Sequence, residues 1–140
     1  FKKKLYNEIT RANFFSKSLS KQRKKIKNKI IKIQKKNPNS KIALYGAGHL
    51  SVAFISIMQL SDMISFVIDD NSKKKDMIMP VGDIPIINSE KLIEKNIKVC
   101  LLSLNPRNHP LILKKNKSYI RKGGVFLSIF PGNNNYIRAL

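Results

Sequence analysis

The sequence contains no tryptophan, one cysteine and two histidines, and its 8 acidic residues stand against 28 Lys and Arg. Each scarcity excludes something. A lone thiol, Cys100, cannot close an internal disulfide; inside the apolar run 97–104 (IKVCLLSL) it reads as a small buried hydrophobe. The only imidazoles are His49 and His109. Asp69 and Asp70 form an acidic pair, but no third acid or histidine lies at a ligand spacing nearby, so no metal site is expected. No Ser/His/Asp or Cys/His nucleophilic set can be assembled, so no catalytic residue is expected in this segment. There is no run of 18 apolar residues to span a bilayer, and the opening FKKKLYNEIT lacks the apolar core of a signal peptide. A reducing, cytoplasmic location is the expectation. The chain opens on Phe1 and not Met, so a longer parent protein is expected.

Acidic residues are scarcest at the start. Residues 1–40 hold 14 of the 28 basic residues and one acid, Glu8, within a net charge of +20. A basic arm of this kind suits nucleic acid or an anionic membrane. Nucleic-acid sites, however, favour Arg for its bidentate fork and interleave aromatics for stacking. Residues 20–40 offer one Arg, Arg23, and no aromatic. Lys far outnumbers Arg, and Asn and Ile are abundant, which is the usage of an AT-rich genome. Neither nucleic acid nor membrane is expected as a partner.

The hydrophobic rhythm changes at residue 41. Over 5–36, Phe15, Leu19, Ile26, Ile30 and Ile33 recur at spacings of 3, 4 and 7, one stripe of an amphipathic helix, with a break possible at Ser16, Ser18 and Ser20. Pro38 ends it. Beyond it, apolar runs at 41–45, 63–70, 97–104 and 125–130 read as strands. Residues 49–60, 88–96 and a stretch from His109 or Pro110 to Gly123-Gly124 read as helices. Pro80, Gly82 and Pro85 confine 77–87 to short extended pieces. Strands that alternate with helices and are apolar on both sides imply a parallel, doubly covered sheet. The reading is a basic helical segment at 1–38 and an α/β domain at 39–140, with about four parallel strands in a three-layer arrangement. In such folds ligands bind beyond the carboxyl ends of the strands. That edge gathers GAGH (46–49), IDDN (68–71) and SLNPRN (103–108).

Gly46, Ala47 and Gly48, followed by His49, Leu50 and Ser51, make a G-x-G-x-x-S turn between a strand and a helix. Gly46 permits the tight turn, Gly48 lets a ligand near the backbone, and the helix N-terminus attracts an anion. Ser51 stands where a third glycine is usual. Asp69 lies 23 residues beyond Gly46, at the end of the second strand, a position from which an acid accepts a ribose hydroxyl.

The segment 66–92, FVIDDNSKKKDMIMPVGDIPIINSEKL, resembles the C-terminal, Rossmann-like domain of bacterial sugar C-methyltransferases. The matching positions are Asp69, Asn71, Lys75, Met79, Pro80, Ile84, Pro85, Ile86, Ser89, Glu90 and Leu92. ALYGAGHLS, VCLLSLNPRN and RKGGVFLSIFPG follow in the family's order, so the resemblance spans about residues 20–138. The sequence departs from the family where a Lys often follows the glycine turn, here His49-Leu50-Ser51, and where an aromatic often precedes Asn105, here Leu104. The resemblance implies an S-adenosylmethionine-dependent enzyme acting on a nucleotide-linked keto sugar. It assigns the methyl donor and the catalytic His and Tyr to an upstream domain, with no cofactor held by this segment. Gly46, Ala47, Gly48, His49, Asp69 and Asn105 would then bind the nucleotide-sugar, and the basic helix would bridge to the methyltransferase domain. Nucleotide-sugar-binding domains of sugar acetyltransferases and dehydratases share part of the pattern and imply the same ligand class. A non-catalytic Rossmann-like interaction domain is the alternative from another class, and a nicotinamide-dependent oxidoreductase a third.

Overall fold

A computed structural model of the chain describes residues 2–137. Helix α1 (Lys2–Lys36) leads into strand β1 (Lys41–Tyr45), helix α2 (His49–Met58) and strands β2 (Phe66–Ile68), β3 (Ile86–Ile87) and β4 (Ile97–Leu102). Helices α3 (His109–Lys115) and α4 (Lys117–Arg121) and strand β5 (Val125–Ser128) complete it. The five strands form one parallel sheet in the order β3-β2-β1-β4-β5. The family of short extended pieces at 77–87 therefore supplies a fifth strand, two residues long, where about four were expected. Its shortness follows from Pro85, which has no N–H to donate and precedes the paired Ile86 and Ile87.

Strand residues alternate between two cores, as the two-residue repeat of a pleated strand requires. Ile42, Leu44, Val99 and Leu101 pack with Ile26 and Ile30 of α1 and Ile55 of α2. Ala43, Tyr45, Cys100 and Leu102 pack on the other side with Ile112 of α3 and Tyr119 of α4. Helices thus cover both faces, and the Rossmann-like three-layer fold read from the sequence is the fold found. Cys100 is wholly buried, and burial pushes its thiol well above the ordinary range.

Two helices differ from expectation. Helix α1 runs unbroken through Ser16, Ser18 and Ser20. A helical serine costs less than about 0.7 kcal/mol relative to alanine, and no glycine or proline interrupts the run. By contrast, the stretch after His109 splits at Asn116. Both its backbone N–H and its buried side-chain amide donate to the Ile112 carbonyl, at 3.1 and 2.8 Å, ending the first helix before Lys117 starts the next. The segment at 88–96 closes into a single 3-10 turn, Ser89–Leu92. In the C-terminal segment, Ile137 enters the first core and its N–H donates to Ser128.

Only the second half of α1 joins the domain. Ile26 and Ile30 are buried in the first core, and Arg23 Nε donates to the Ile57 carbonyl at 2.5 Å, satisfying one of the carbonyls left open where α2 ends. Residues 2–17 are exposed throughout. Urea denaturation should therefore separate the two halves: Ile30→Ala is expected to cost about 2–5 kcal/mol through lost burial and a cavity. Ile9→Ala should cost less than about 0.5 kcal/mol.

Candidate functional site at the carboxyl edge of the sheet

Strand β1 is central, with β2 on one side and β4 on the other, so the chain departs in opposite directions from its two flanks. The crevice this opens beyond the strand ends is where open α/β sheets bind ligands. Here it is walled by the turn after β1 and by Ser103 and Leu104 after β4.

The two glycines of that turn have different reasons to be glycine. Gly46 has φ +107, and a Cβ there would lie 2.7 Å from Leu104 Cδ2 and 3.2 Å from Ser103 Oγ. Conformation and packing both demand glycine. Gly48 has φ −129 and ψ −174, extended backbone that any residue adopts, and a Cβ there would meet nothing within 4 Å. Neither the fold nor its packing requires glycine at 48. The helix it caps, α2, receives no side-chain cap from it and has no acid in its first turn. His49 is the exposed first residue of that helix.

Ser51, the departure from a third glycine, is buried and functional in the turn's architecture. Its hydroxyl donates to the Gly46 carbonyl and lies 2.6 Å from Ser103 Oγ; Ser103 in turn donates to the Tyr45 carbonyl at 2.7 Å. The pair sews the glycine turn to the end of β4.

The acids at the end of β2 point opposite ways, as neighbours on extended chain do. Asp69 faces the turn. Its Oδ2 accepts the Ala47 N–H at 2.9 Å and the Lys74 ammonium at 3.1 Å, and its Oδ1 accepts the Asn71 N–H at 2.9 Å. Lys74 also donates to the Ala47 carbonyl at 2.8 Å, closing a clasp over the turn. Burial raises the Asp69 pKa, but the Asn71 and Ala47 N–H groups and Lys74 outweigh it and hold the carboxyl below its usual value. Asp70 faces the other side. Its Oδ2 accepts the Tyr45 hydroxyl at 2.5 Å and the Lys115 ammonium at 2.7 Å, while its Oδ1 accepts the Ser89 N–H at 2.8 Å. Burial again opposes ionisation, yet Lys115, Tyr45 and Ser89 bring the carboxyl down to about 2. The Tyr45 phenol is pushed up, first by burial and then by Asp70.

A cavity of about 290 Å³ opens between these groups. Leu104, Leu111 and Ile112 supply its apolar lining; Tyr45, Asp70, Asn71 and Lys115 supply polar atoms. Of the residues the sequence reading gave to ligand binding, Gly46 and Asp69 line this cavity. Ala47, Gly48 and His49 continue the turn outside its lining. Asn105 follows Leu104, and its carboxamide oxygen caps the next turn by accepting the Arg107 N–H at 3.0 Å. His109 is half-buried, with Nε2 3.0 Å from the Leu104 carbonyl. Sequence reasoning missed Tyr45 and Lys115, and weighed Asp70 only as half of a metal pair. The acidic doublet carried the available signal: on a strand end, if one acid faces the first turn, its neighbour faces the helix on the opposite layer. Among the described residues no group of three or more His, Cys, Asp or Glu is placed to hold a metal ion.

The model of one protein family, described as the C-methyltransferase C-terminal domain, matches residues 2–131. The chain belongs to that family. No curated protein matches the chain. Among solved structures, UDP-D-quinovosamine 4-dehydrogenase from Vibrio fischeri is similar at 21% identity and a TM-score of 0.50, over 65% of this chain and 78% of that one. The structure described as RSP in complex with beta-NADH shares 14% identity at a TM-score of 0.49, over 69% of this chain and 50% of its own. The first of these shows the fold that this C-methyltransferase C-terminal domain shares with Rossmann-like proteins.

Two measurements probe the site without a ligand. Gly46→Ala is expected to destabilise by more than about 2 kcal/mol, from strained φ and overpacking against Leu104. Gly48→Ala should leave stability unchanged or raise it by up to about 1 kcal/mol, since it only restricts the unfolded chain. The acids dictate the second. Both carboxyls are lowered by folding, so their stabilisation is complete above the unfolded value of about 3.9 and is lost as the pH falls below it, for Asp70 through about 2. Thermal melts should show Tm falling through that window, with a shallower fall in Asp70→Asn.

Proposed function

We propose that this domain is the nucleotide-sugar-binding module of an S-adenosylmethionine-dependent sugar C-methyltransferase. Membership of the C-methyltransferase C-terminal domain family supports the enzyme class. The neighbouring solved structure is, by its name, an enzyme of a UDP-sugar, which supports the ligand class. The observation that carries the reading is Gly48: a glycine with ordinary backbone angles and open space where a side chain would stand, at the N-terminus of a ten-residue helix. Such a position leaves room for a diphosphate against the backbone, where helix N–H groups and the helix dipole favour negative charge.

The adjoining cavity suits the rest of the ligand. Leu104, Leu111 and Ile112 offer apolar surface to a planar base, and the Asp70–Tyr45–Lys115 group offers both donors and acceptors to its edge or to a ribose. Asp69 works first on the protein itself, holding the turn in shape through the Ala47 N–H, so its part in binding is to position Gly48 and His49 for the phosphates. Asn105, next to the lining residue Leu104, would hydrogen-bond to the sugar nucleotide. S-adenosylmethionine, which supplies the methyl group, and the residues that transfer it belong to an upstream domain of the parent protein. This chain binds and orients the acceptor, in the cytoplasm. Among the described residues no helix is long and apolar enough to cross a membrane.

A second reading has an observation of its own. Asp69 and Asp70 are each already satisfied by protein donors, as in a vestigial pocket on a purely structural interaction domain. One variant separates the two. Gly48→Val in the full-length enzyme should weaken UDP- or dTDP-sugar binding at least about tenfold by calorimetry, worth about 1.4 kcal/mol, with Tm unchanged. An intact chain that binds neither sugar nucleotide, or a Gly48→Val enzyme with undiminished binding, defeats the nucleotide-sugar reading.

A further inference from the structure

The peptide unit that joins Ala47 to Gly48 is gripped at one end. The Lys74 ammonium donates to the Ala47 carbonyl at 2.8 Å and to Asp69 Oδ2 at 3.1 Å. No described peptide bond is cis, so the N–H of this unit points away from its carbonyl, and hence away from Lys74. Gly48 is exposed, and among the described residues its N–H has no acceptor. Lys74 is set in place by its own loop. It ends the 3-10 turn Ser72–Lys74, which the Asn71 side chain caps by accepting the Lys73 N–H at 3.0 Å. Of the three consecutive lysines 73–75, it alone is half-buried.

Glycine at 48 makes this peptide easy to invert. Half a turn about its flanking bonds carries φ at Gly48 from −129 to about +50 with ψ still at −174, a region open to glycine and closed to residues with a Cβ. The inverted unit presents the Ala47 carbonyl where the Gly48 N–H stood, and a carbonyl oxygen repels an anion. The residue that leaves room for a diphosphate thus also leaves its own peptide free to turn the wrong way. Inversion forfeits the hydrogen bond from Lys74, while the Ala47 N–H, in the preceding unit, stays with Asp69.

From this we infer that Lys74 is a positioning residue for ligand binding: by holding the Ala47 carbonyl, it keeps the Gly48 N–H aimed at the diphosphate of the sugar nucleotide. The inference rests on the nucleotide-sugar reading of the crevice. Charge points to the same residue. Asp69 brings a carboxylate to within 2.9 Å of the Ala47 nitrogen, where alone it would repel a diphosphate, and the Lys74 ammonium compensates it. The residues that follow the glycines, His49, Leu50 and Ser51, include no lysine. The cation of this turn comes instead from the loop after β2, 27 positions beyond Ala47.

Lys74→Met in the full-length enzyme tests the assignment, with Lys74→Gln as a second neutral variant should the first not fold. In ligand-free enzyme carrying isotopically labelled glycine, the Gly48 amide resonance should split or broaden as the peptide samples both orientations. The Gly46 amide, bonded to the Ile68 carbonyl at 2.7 Å, should keep its resonance. Calorimetric binding of UDP- or dTDP-sugar should weaken at least about tenfold in the neutral variant, and Lys74→Arg, which keeps a charged donor, should stay within about threefold of the unmodified enzyme. A Gly48 resonance unchanged in the neutral variant overturns the proposal. So does a Gly46 resonance displaced as far as that of Gly48, which marks a collapsed turn, or an arginine variant that binds as weakly as the neutral one. The nucleotide-sugar reading fails separately: an unmodified enzyme that binds neither sugar nucleotide removes that reading, while the Gly48 resonance still decides whether Lys74 holds the peptide.

Discussion

The geometry of the site depends on one carboxylate. Asp69 reaches across from the end of β2 to take the Ala47 N–H, while its other oxygen takes the Asn71 N–H and Lys74 bridges back to the Ala47 carbonyl. Two loops from different strands are thereby held at one spacing. The turn is pressed from the other flank by Leu104 and Ser103, which leave no room for a side chain at Gly46. With both flanks fixed, Gly48 and the first residue of α2 stand exposed. The turn is held in one geometry because the polar groups that shape it are satisfied by the protein itself.

A division of labour between the two faces of the sheet follows from the acidic doublet. Asp69 belongs to the layer of α2 and holds the glycine turn after β1. Asp70 belongs to the layer of α3 and joins Tyr45 and Lys115 beside the apolar lining. Neither acid is an uncompensated charge, since each is depressed by donors that more than offset the cost of burial. The same economy explains Ser51: where a third glycine would permit only close packing, a serine permits it and adds a hydroxyl link to Ser103.

Helix α1 shows the same sequence pattern used in two ways. Its C-terminal half is core, and its N-terminal half presents the continuation of that core to the outside. Periodicity reads both halves identically because it reports amphipathicity and not what covers the face. The strands at 41–45, 97–104 and 125–130 were legible for a related reason: uninterrupted β-branched and aliphatic runs bounded by turn residues have few other homes in a doubly covered sheet. The edge strand at Ile86–Ile87 was not, since two residues carry no periodicity. Nor was the split at Asn116, where a side-chain hydrogen bond one turn back decided the outcome.

By itself the sequence determined the fold class, the glycine turn and the family. All of these rest on the order and local pattern of residues along the chain. Only the tertiary structure decided which of the two glycines is spent on packing and which is left open. It also decided that Asp69 clasps the turn, that Asp70 meets Tyr45 and Lys115, and where α1 leaves the core. Those outcomes depend on contacts between residues 22 to 58 positions apart, brought together by strand order, and a one-dimensional pattern carries no record of that order.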